Sequence, residues 1–335
     1  MISLKSNKIK ALAAGLMLTL ALGALGCGGD KKEAGAKAEK VNVGIVQLVE
    51  HEALDAANKG FIDGLASKGY KEGQNIAFDK QNAQADQSNL QNIAHRFVNN
   101  KVDLICAIAT PAAQTVANVT SDIPIVATAV TDYKTAKLIK DDVKPGTNVT
   151  GTTDMNPVAE QLDLLLKLVP NAKTIGTIYC SSEVNSQLQV ELLKKAAAAK
   201  GITVKEATVS TVNDIQQAAR SLAGDVQAVY VPTDNVLASA IPTLISVTEE
   251  AKLPVICAEG GMVRAGGLAT LGVDYYKLGF QTGVMAADIL SGKSKPADMA
   301  IQAQKEFKPT INLKEAAKIG LKVPEDLLKG AEVIK

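Results

Sequence analysis

The chain has 335 residues, 47% of them hydrophobic but only 3% aromatic, and it contains no Trp. Its 36 basic and 35 acidic residues leave a net charge of +1, which gives no support to a nucleic-acid surface. The chain is neither disordered nor fibrous, and its length suits two domains with cores of Val, Ile, Leu and Ala.

The chain opens on a basic segment (Lys5, Lys8, Lys10) followed by an apolar run over 11–25, too short for a comfortable membrane span. That run ends in Ala24-Leu25-Gly26-Cys27, which resembles a bacterial lipoprotein signal cleaved before Cys27, although that motif usually has Leu where Ala24 stands. An ordinary secretory signal is the alternative, and the Gly28-Gly29-Asp30-Lys31-Lys32 stretch favours the lipoprotein. Residues 1–26 are therefore expected to be signal peptide, Cys27 to carry lipid, and 27–40 to form a flexible tether.

From there the pattern alternates. Residues 42–48 read as a strand, 52–68 as a helix ending at Gly69, and 76–80 as a short strand. Leu90, Ile93, Ala94, Phe97 and Val98 recur at helical spacing, and His95 falls off that stripe on the solvent side. The apolar run 102–109 has no polar alternation and predicts a strand buried on both faces. Thr110-Pro111 then predicts a helix start, with Thr110 as N-cap and Pro at the first helical position. In an open parallel sheet, ligands bind where a strand's carboxyl end meets a helix N-terminus. Thr110 and the N–H groups of Ala112 and Ala113 thus form a candidate anion site. A strand over 123–129, a short helix over 132–140 and a turn at Pro145-Gly146 follow.

The second half repeats the first. Val43-Gly44-Ile45 stands as far before Lys68-Gly69 as Ile175-Gly176-Thr177 stands before Lys200-Gly201. Strand 173–180, helix 185–200, strand 202–208, helix 212–223 and strand 226–231 keep the order of the first unit, as duplicated domains do. Strand 268–273, helix 275–290 and an extended 302–312 come after both units are complete. They are expected to cross back and tie the domains together. The expectation is an α/β protein of two doubly wound parallel-sheet lobes joined by a multi-crossover hinge. The first lobe would take 41–152 plus about 274–300, the second 153–273 plus about 301–335. Setting Cys27 aside, Cys106, Cys180 and Cys257 are an odd set near strand ends and read as core, with a Cys106 pairing to either of the others as the alternative. Nothing in their spacing suggests a metal, and no cofactor is expected.

Ala109-Thr110-Pro111-Ala112-Ala113, Ala129-Val130-Thr131-Asp132, Asn148-Val149-Thr150-Gly151, Ser182-Glu183-Val184-Asn185-Ser186, Pro232-Thr233-Asp234-Asn235 and Val273-Asp274-Tyr275-Tyr276-Lys277-Leu278-Gly279 together carry a resemblance. From about Val41 to the end, the chain resembles the ABC-transporter substrate-binding lipoproteins with the type I periplasmic-binding-protein fold. It is most similar to the branch identified with tryptophan or tyrosine. The resemblance implies a monomer outside the cytoplasmic membrane, held there by its lipid anchor. It would capture a small solute and hand it to a permease with its ATPase. The chain itself has no Walker A motif.

Asp234 stands in the second unit where Pro111 stands in the first, and a carboxylate there would attract an ammonium group. Glu259, at the next strand end, is a second candidate for the same group, while Thr131 and Asp132 would add polar groups to the first lobe. A plain helix cap by Thr233 or Asp234 competes with the ligand role on residue type alone. Glu183, Asn185 and Ser186 open a helix expected to face the stretch from Gln47 to His51. Asn235 completes the Thr233-Asp234 strand end. For Ser186 and His51, capping is the competing reading. Tyr179, Tyr230 and Tyr275 lie near strand ends and are candidates for stacking on an aromatic ring. The set points to a zwitterion, an aromatic L-amino acid, with branched aliphatic amino acids the alternative. An enzyme is disfavoured: neither His sits in a visible triad, and G-x-S-x-G and H-E-x-x-H are absent. A ligand-sensing domain of the same fold is the third class, disfavoured by the absence of a DNA-binding or signalling module.

Overall fold

The computed structural model describes residues 40–335, so the signal segment, Cys27 and nearly all of the expected tether lie outside it. The first half runs β1 (Val41–Gln47), α1 (Glu52–Ser67), β2 (Ile76–Asn82), α2 (Gln87–Asn99), β3 (Leu104–Ile108), α3 (Thr110–Val119), β4 (Ile125–Val130) and β5 (Val149–Thr153). The second runs α4 (Val158–Leu168), β6 (Thr174–Cys180), α5 (Val184–Ala199), β7 (Thr203–Val209), α6 (Ile215–Ala223), β8 (Val229–Val231), α7 (Asn235–Ser239), α8 (Ile241–Glu250), β9 (Val255–Cys257), α9 (Gly260–Arg264) and β10 (Ala269–Gly272). The closing segment holds α10 (Tyr275–Leu290), β11 (Gln302–Ala303), β12 (Lys308–Asn312), α11 (Leu313–Lys318) and β13 (Glu332–Ile334).

Two sheets result. The first, in the order β11-β5-β4-β3-β1-β2, is parallel throughout. The second, β13-β12-β10-β9-β8-β6-β7, is parallel except where β12 meets β10 antiparallel. That step departs from the all-parallel expectation, because β12 returns from the other lobe rather than from a helix on its own. The duplication appears in the packing: Gly44 of β1 lies under the Phe97 ring of α2, and Gly176 of β6 under Leu222 of α6. All five residues of β3 are buried, as an uninterrupted apolar run requires when helices cover both faces. Helix α1 turns Ala53, Leu54, Ala57, Phe61 and Leu65 inward at helical spacing. The chain passes between the sheets after β5, after β10 and after β11. Cys106, Cys180 and Cys257 are buried and unpaired.

Two local expectations fail. Thr110 is the first residue of α3 rather than its cap; Ala109 takes the cap position at φ 90°. The turn from β3 into α3 is too sharp for the extended cap geometry, so the strain falls on Ala109 and the Thr110 hydroxyl stays buried and unbonded. Residues 132–140 form successive turns, not a helix. Tyr133 is pinned by its hydroxyl to the carbonyls of Ala127 and Thr152 at 2.8 and 3.0 Å. Lys137 adopts φ 59°, which ends any helical run there.

Candidate functional site

The carboxyl ends of both sheets face one another across a closed cleft, and each end contributes a residue to its walls. An inner cavity of about 10 Å³ is lined by His51 after β1, Ala129 at the end of β4, Asp154 after β5, Thr233 to Asn235 after β8, Glu259 after β9 and Tyr275 after β10, with Leu54, Ala238 and Met262. That volume accommodates one water-sized group. An outer cavity of about 420 Å³ lies between the ends of β2 and β3 and those of β6 and β7. Leu48, Leu90, Pro111, Glu183 and Val236 are among its walls. Ala129 is at φ 55°, where β4 slips register against β5 and turns its end toward the inner cavity.

The lobes touch across the cleft. His51 Nε2 lies 3.3 Å from Asn235 Oδ1, and Thr131 Oγ1 lies 3.2 Å from Thr233 Oγ1. Thr131 also donates to Asp154 at 2.9 Å, and the Tyr275 hydroxyl donates to the other oxygen of Asp154 at 2.7 Å. Asp154 was not singled out from sequence. It stands three residues past the Asn148-Val149-Thr150-Gly151 motif, at the first crossover, and that position at a strand end was its only signal.

The carboxylates are held from within. Asp234 caps α7, accepting from Leu237 N at 2.9 Å, and also accepts from Cys180 N at 2.6 Å and Ser186 Oγ at 2.7 Å. Glu183 accepts from Asn185 Nδ2 and from both nitrogens of Asn235. Glu259 caps α9 through Gly261 N and Met262 N. Burial pushes Asp154 and Asp234 above the usual carboxylate range. It takes Glu259 to about 7, and burial with the charge of Asp234 takes Glu183 to about 8. The walls of both cavities contain no Lys or Arg among the described residues. Burial lowers the basicity of His51.

Of the residues named from sequence, His51, Thr233, Asp234, Asn235 and Glu259 meet at the inner cavity, and Pro111 and Glu183 at the outer one. Asp234 is at once a helix cap and a cavity wall. Ser186 does not cap its own helix, since its hydroxyl is given to Asp234. Asn185 donates to Thr233 O at 2.8 Å within the second lobe rather than facing Gln47. Gln47 is buried in the first lobe, donating to Val49 O and Asp55 and accepting from Asn58. Thr110, Ala112 and Ala113 are buried and line neither cavity, and the Ala113 N–H is spent on Ala109 O at 3.0 Å. Asp132 accepts from Thr135 N and only shapes a turn. Tyr179 bonds Glu206, and Tyr230 is buried against Gln161 in the second lobe, so of the three tyrosines Tyr275 alone reaches the cleft.

Comparison with known proteins matches residues 42–335 to the family model described as ABC transporter substrate binding protein. The chain belongs to this family. It is a substrate-binding protein and not an enzyme. Over 265 residues it is 48% identical to the tyrosine-binding protein of Clostridioides difficile (strain R20291), covering 79% of this chain and 76% of that one. A Streptococcus pneumonia ABC domain crystallised with L-Trp is 41% identical, with a TM-score of 0.85, covering 89% of this chain and all of the other. A ligand-free, open substrate-binding protein from Clostridium difficile is 44% identical, covers 88% of this chain and 99% of its own, and has a TM-score of 0.68. At similar identity, the TM-score is lower against the structure described as ligand-free and open. This substrate-binding protein holds its lobes together, as the His51–Asn235 and Thr131–Thr233 contacts require.

Proposed function

We propose that this chain is the extracytoplasmic, lipid-anchored receptor of an ABC importer and that it captures an aromatic L-amino acid between its lobes. The observation that carries the reading is a closed cleft walled by Asp154, Asp234, Glu183 and Glu259, with no cation among its lining residues. Such a wall is complemented by an ammonium group, which supplies three donors and a positive charge. The outer cavity, with Leu48, Leu90, Pro111 and Val236, offers apolar surface for an aromatic body. The tyrosine-binding relative and the L-Trp complex support the same class of ligand. Cys27 supplies the anchor in this reading, and Cys27→Ser releases the protein from membranes or leaves it unprocessed.

Titration calorimetry with L-tyrosine, L-tryptophan and L-phenylalanine tests the ligand class. Each should bind more tightly than leucine, isoleucine or valine, and Asp154→Asn should weaken binding tenfold or more, about 1.4 kcal/mol. A response to sugars or inorganic anions, with none to amino acids, overturns the reading.

A further inference from the structure

His51 bridges the lobes, and its chemistry there is fixed by the residue it touches. Its Nε2 lies 3.3 Å from Asn235 Oδ1. The other end of that amide, Nδ2, lies 2.6 Å from Glu183 Oε2. Glu183 is met by donors from every side: Asn185 Nδ2 at 3.0 Å, Asn235 N at 3.1 Å and Val236 N at 3.3 Å as well. Once ionised, as binding of an ammonium group requires, Glu183 can only accept, so Asn235 turns its NH₂ to Glu183 and its carbonyl to His51. A carbonyl cannot donate, and the hydrogen between Asn235 and His51 therefore belongs to Nε2.

Burial keeps the ring neutral, which leaves a lone pair on Nδ1. That atom is sealed from solvent and has no hydrogen-bond partner. Buried polar atoms in native proteins are nearly always paired. His51 is also among the residues that line the inner cavity, whose other ionisable groups, Asp154, Asp234, Glu259 and Tyr275, are already engaged. Asp55, one turn along α1, is tied to Gln47.

We infer that Nδ1 of His51 accepts a hydrogen bond from the ammonium group of the bound amino acid, with Asn235 fixing the tautomer that makes this possible. The inference rests on the amino-acid reading above and adds a specificity element to it. A 2-hydroxy acid has one donor where the amino acid has three, and a des-amino acid has none, so neither can serve His51 and the carboxylates together.

The chain has two histidines, and His95 is exposed, so ¹⁵N-histidine NMR separates them, with His95→Gln giving the assignment. His51 should show the Nε2–H tautomer at pH 8.5, where Glu183 is mostly ionised. L-tyrosine should move its Nδ1 resonance and leave Nε2 in place, whereas 3-(4-hydroxyphenyl)propanoate should not move Nδ1. By calorimetry, His51→Phe should weaken L-tyrosine binding tenfold or more. His51→Asn, whose oxygen takes the place of Nδ1, should restore most of that loss, and His51→Gln, which mimics Nε2, should not. Rescue by Gln instead of Asn, or an unmoved Nδ1 while calorimetry registers binding, overturns the role of His51 and leaves the amino-acid reading intact. Calorimetry that finds no amino acid bound by the unaltered protein overturns both.

Discussion

Asp234 joins β6, α5 and α7 through its three hydrogen bonds while facing the cleft, so its carboxylate is both scaffold and ligand wall. The sequence left cap and ligand roles in competition because one residue type satisfies both. Only the cleft geometry shows that they coexist. The same density of buried carboxyl groups predicts a pH response with two signs. Glu259 and Glu183 have folded values raised to about 7 and about 8, above their ordinary range. Their contribution to stability is therefore full in acid and is lost as pH rises through those values. Thermal unfolding of the ligand-free protein should show a lower midpoint at pH 8.5 than at pH 5.5. Binding runs the other way, because an ammonium group needs these carboxyls ionised. Affinity for L-tyrosine should fall as pH drops below about 7, with protons released on binding, which calorimetry in buffers of different ionisation enthalpy would detect.

Strands and helices were mostly legible because β3, β4, α1 and α10 carry long, unambiguous apolar patterns. The segment 132–140 was not, since its conformation is set by the Tyr133 hydroxyl reaching β4 and β5, a contact without a local signature. Thr110 was misplaced by one position for a related reason: Ala109 at φ 90° follows from the tightness of the turn, not from residue type. Asp154 escaped notice because nothing in its neighbourhood announces a crossover. The packing of α10 on α1 makes its own prediction. At Gly279 a methyl group would run into the backbone carbonyl of Ala57, with no flexible side chain to give way. Gly279→Val should destabilise by roughly 1–3 kcal/mol or more, measured by denaturant unfolding. An equivalent change at Gly224, at φ −90° after α6 with nothing nearby, meets no such clash.

Across the whole molecule, closure brings Glu52 at the start of α1 to Arg264 at the end of α9. Arg264 is already positioned within the second lobe by Glu332, which also pairs with Lys308. The pair is partly exposed, so it is worth about 0–1 kcal/mol and is screened by salt. Glu52→Gln should weaken ligand binding by no more than about fivefold and reduce its dependence on salt, with dissociation faster rather than association slower. Solution scattering should show a smaller radius of gyration when L-tyrosine is added. An unchanged radius would mean that the cleft stays shut without ligand.

The three passages between the sheets also govern how the chain can acquire its structure. The first lobe is incomplete until α10 covers α1 and β11 closes the edge beside β5, where the Thr150 hydroxyl reaches Met299 O. The second is incomplete until β12 and β13 arrive. Neither lobe can therefore finish folding as it emerges, and the decisive pairings join residues far apart along the chain, which slows folding. A chain emerging from a translocation channel would stay extended and open to proteases until its last 60 or so residues appear, the order in which vectorial synthesis delivers them. A version ending at Val273 should fail to form either lobe and be degraded by limited proteolysis under conditions that leave the full chain intact.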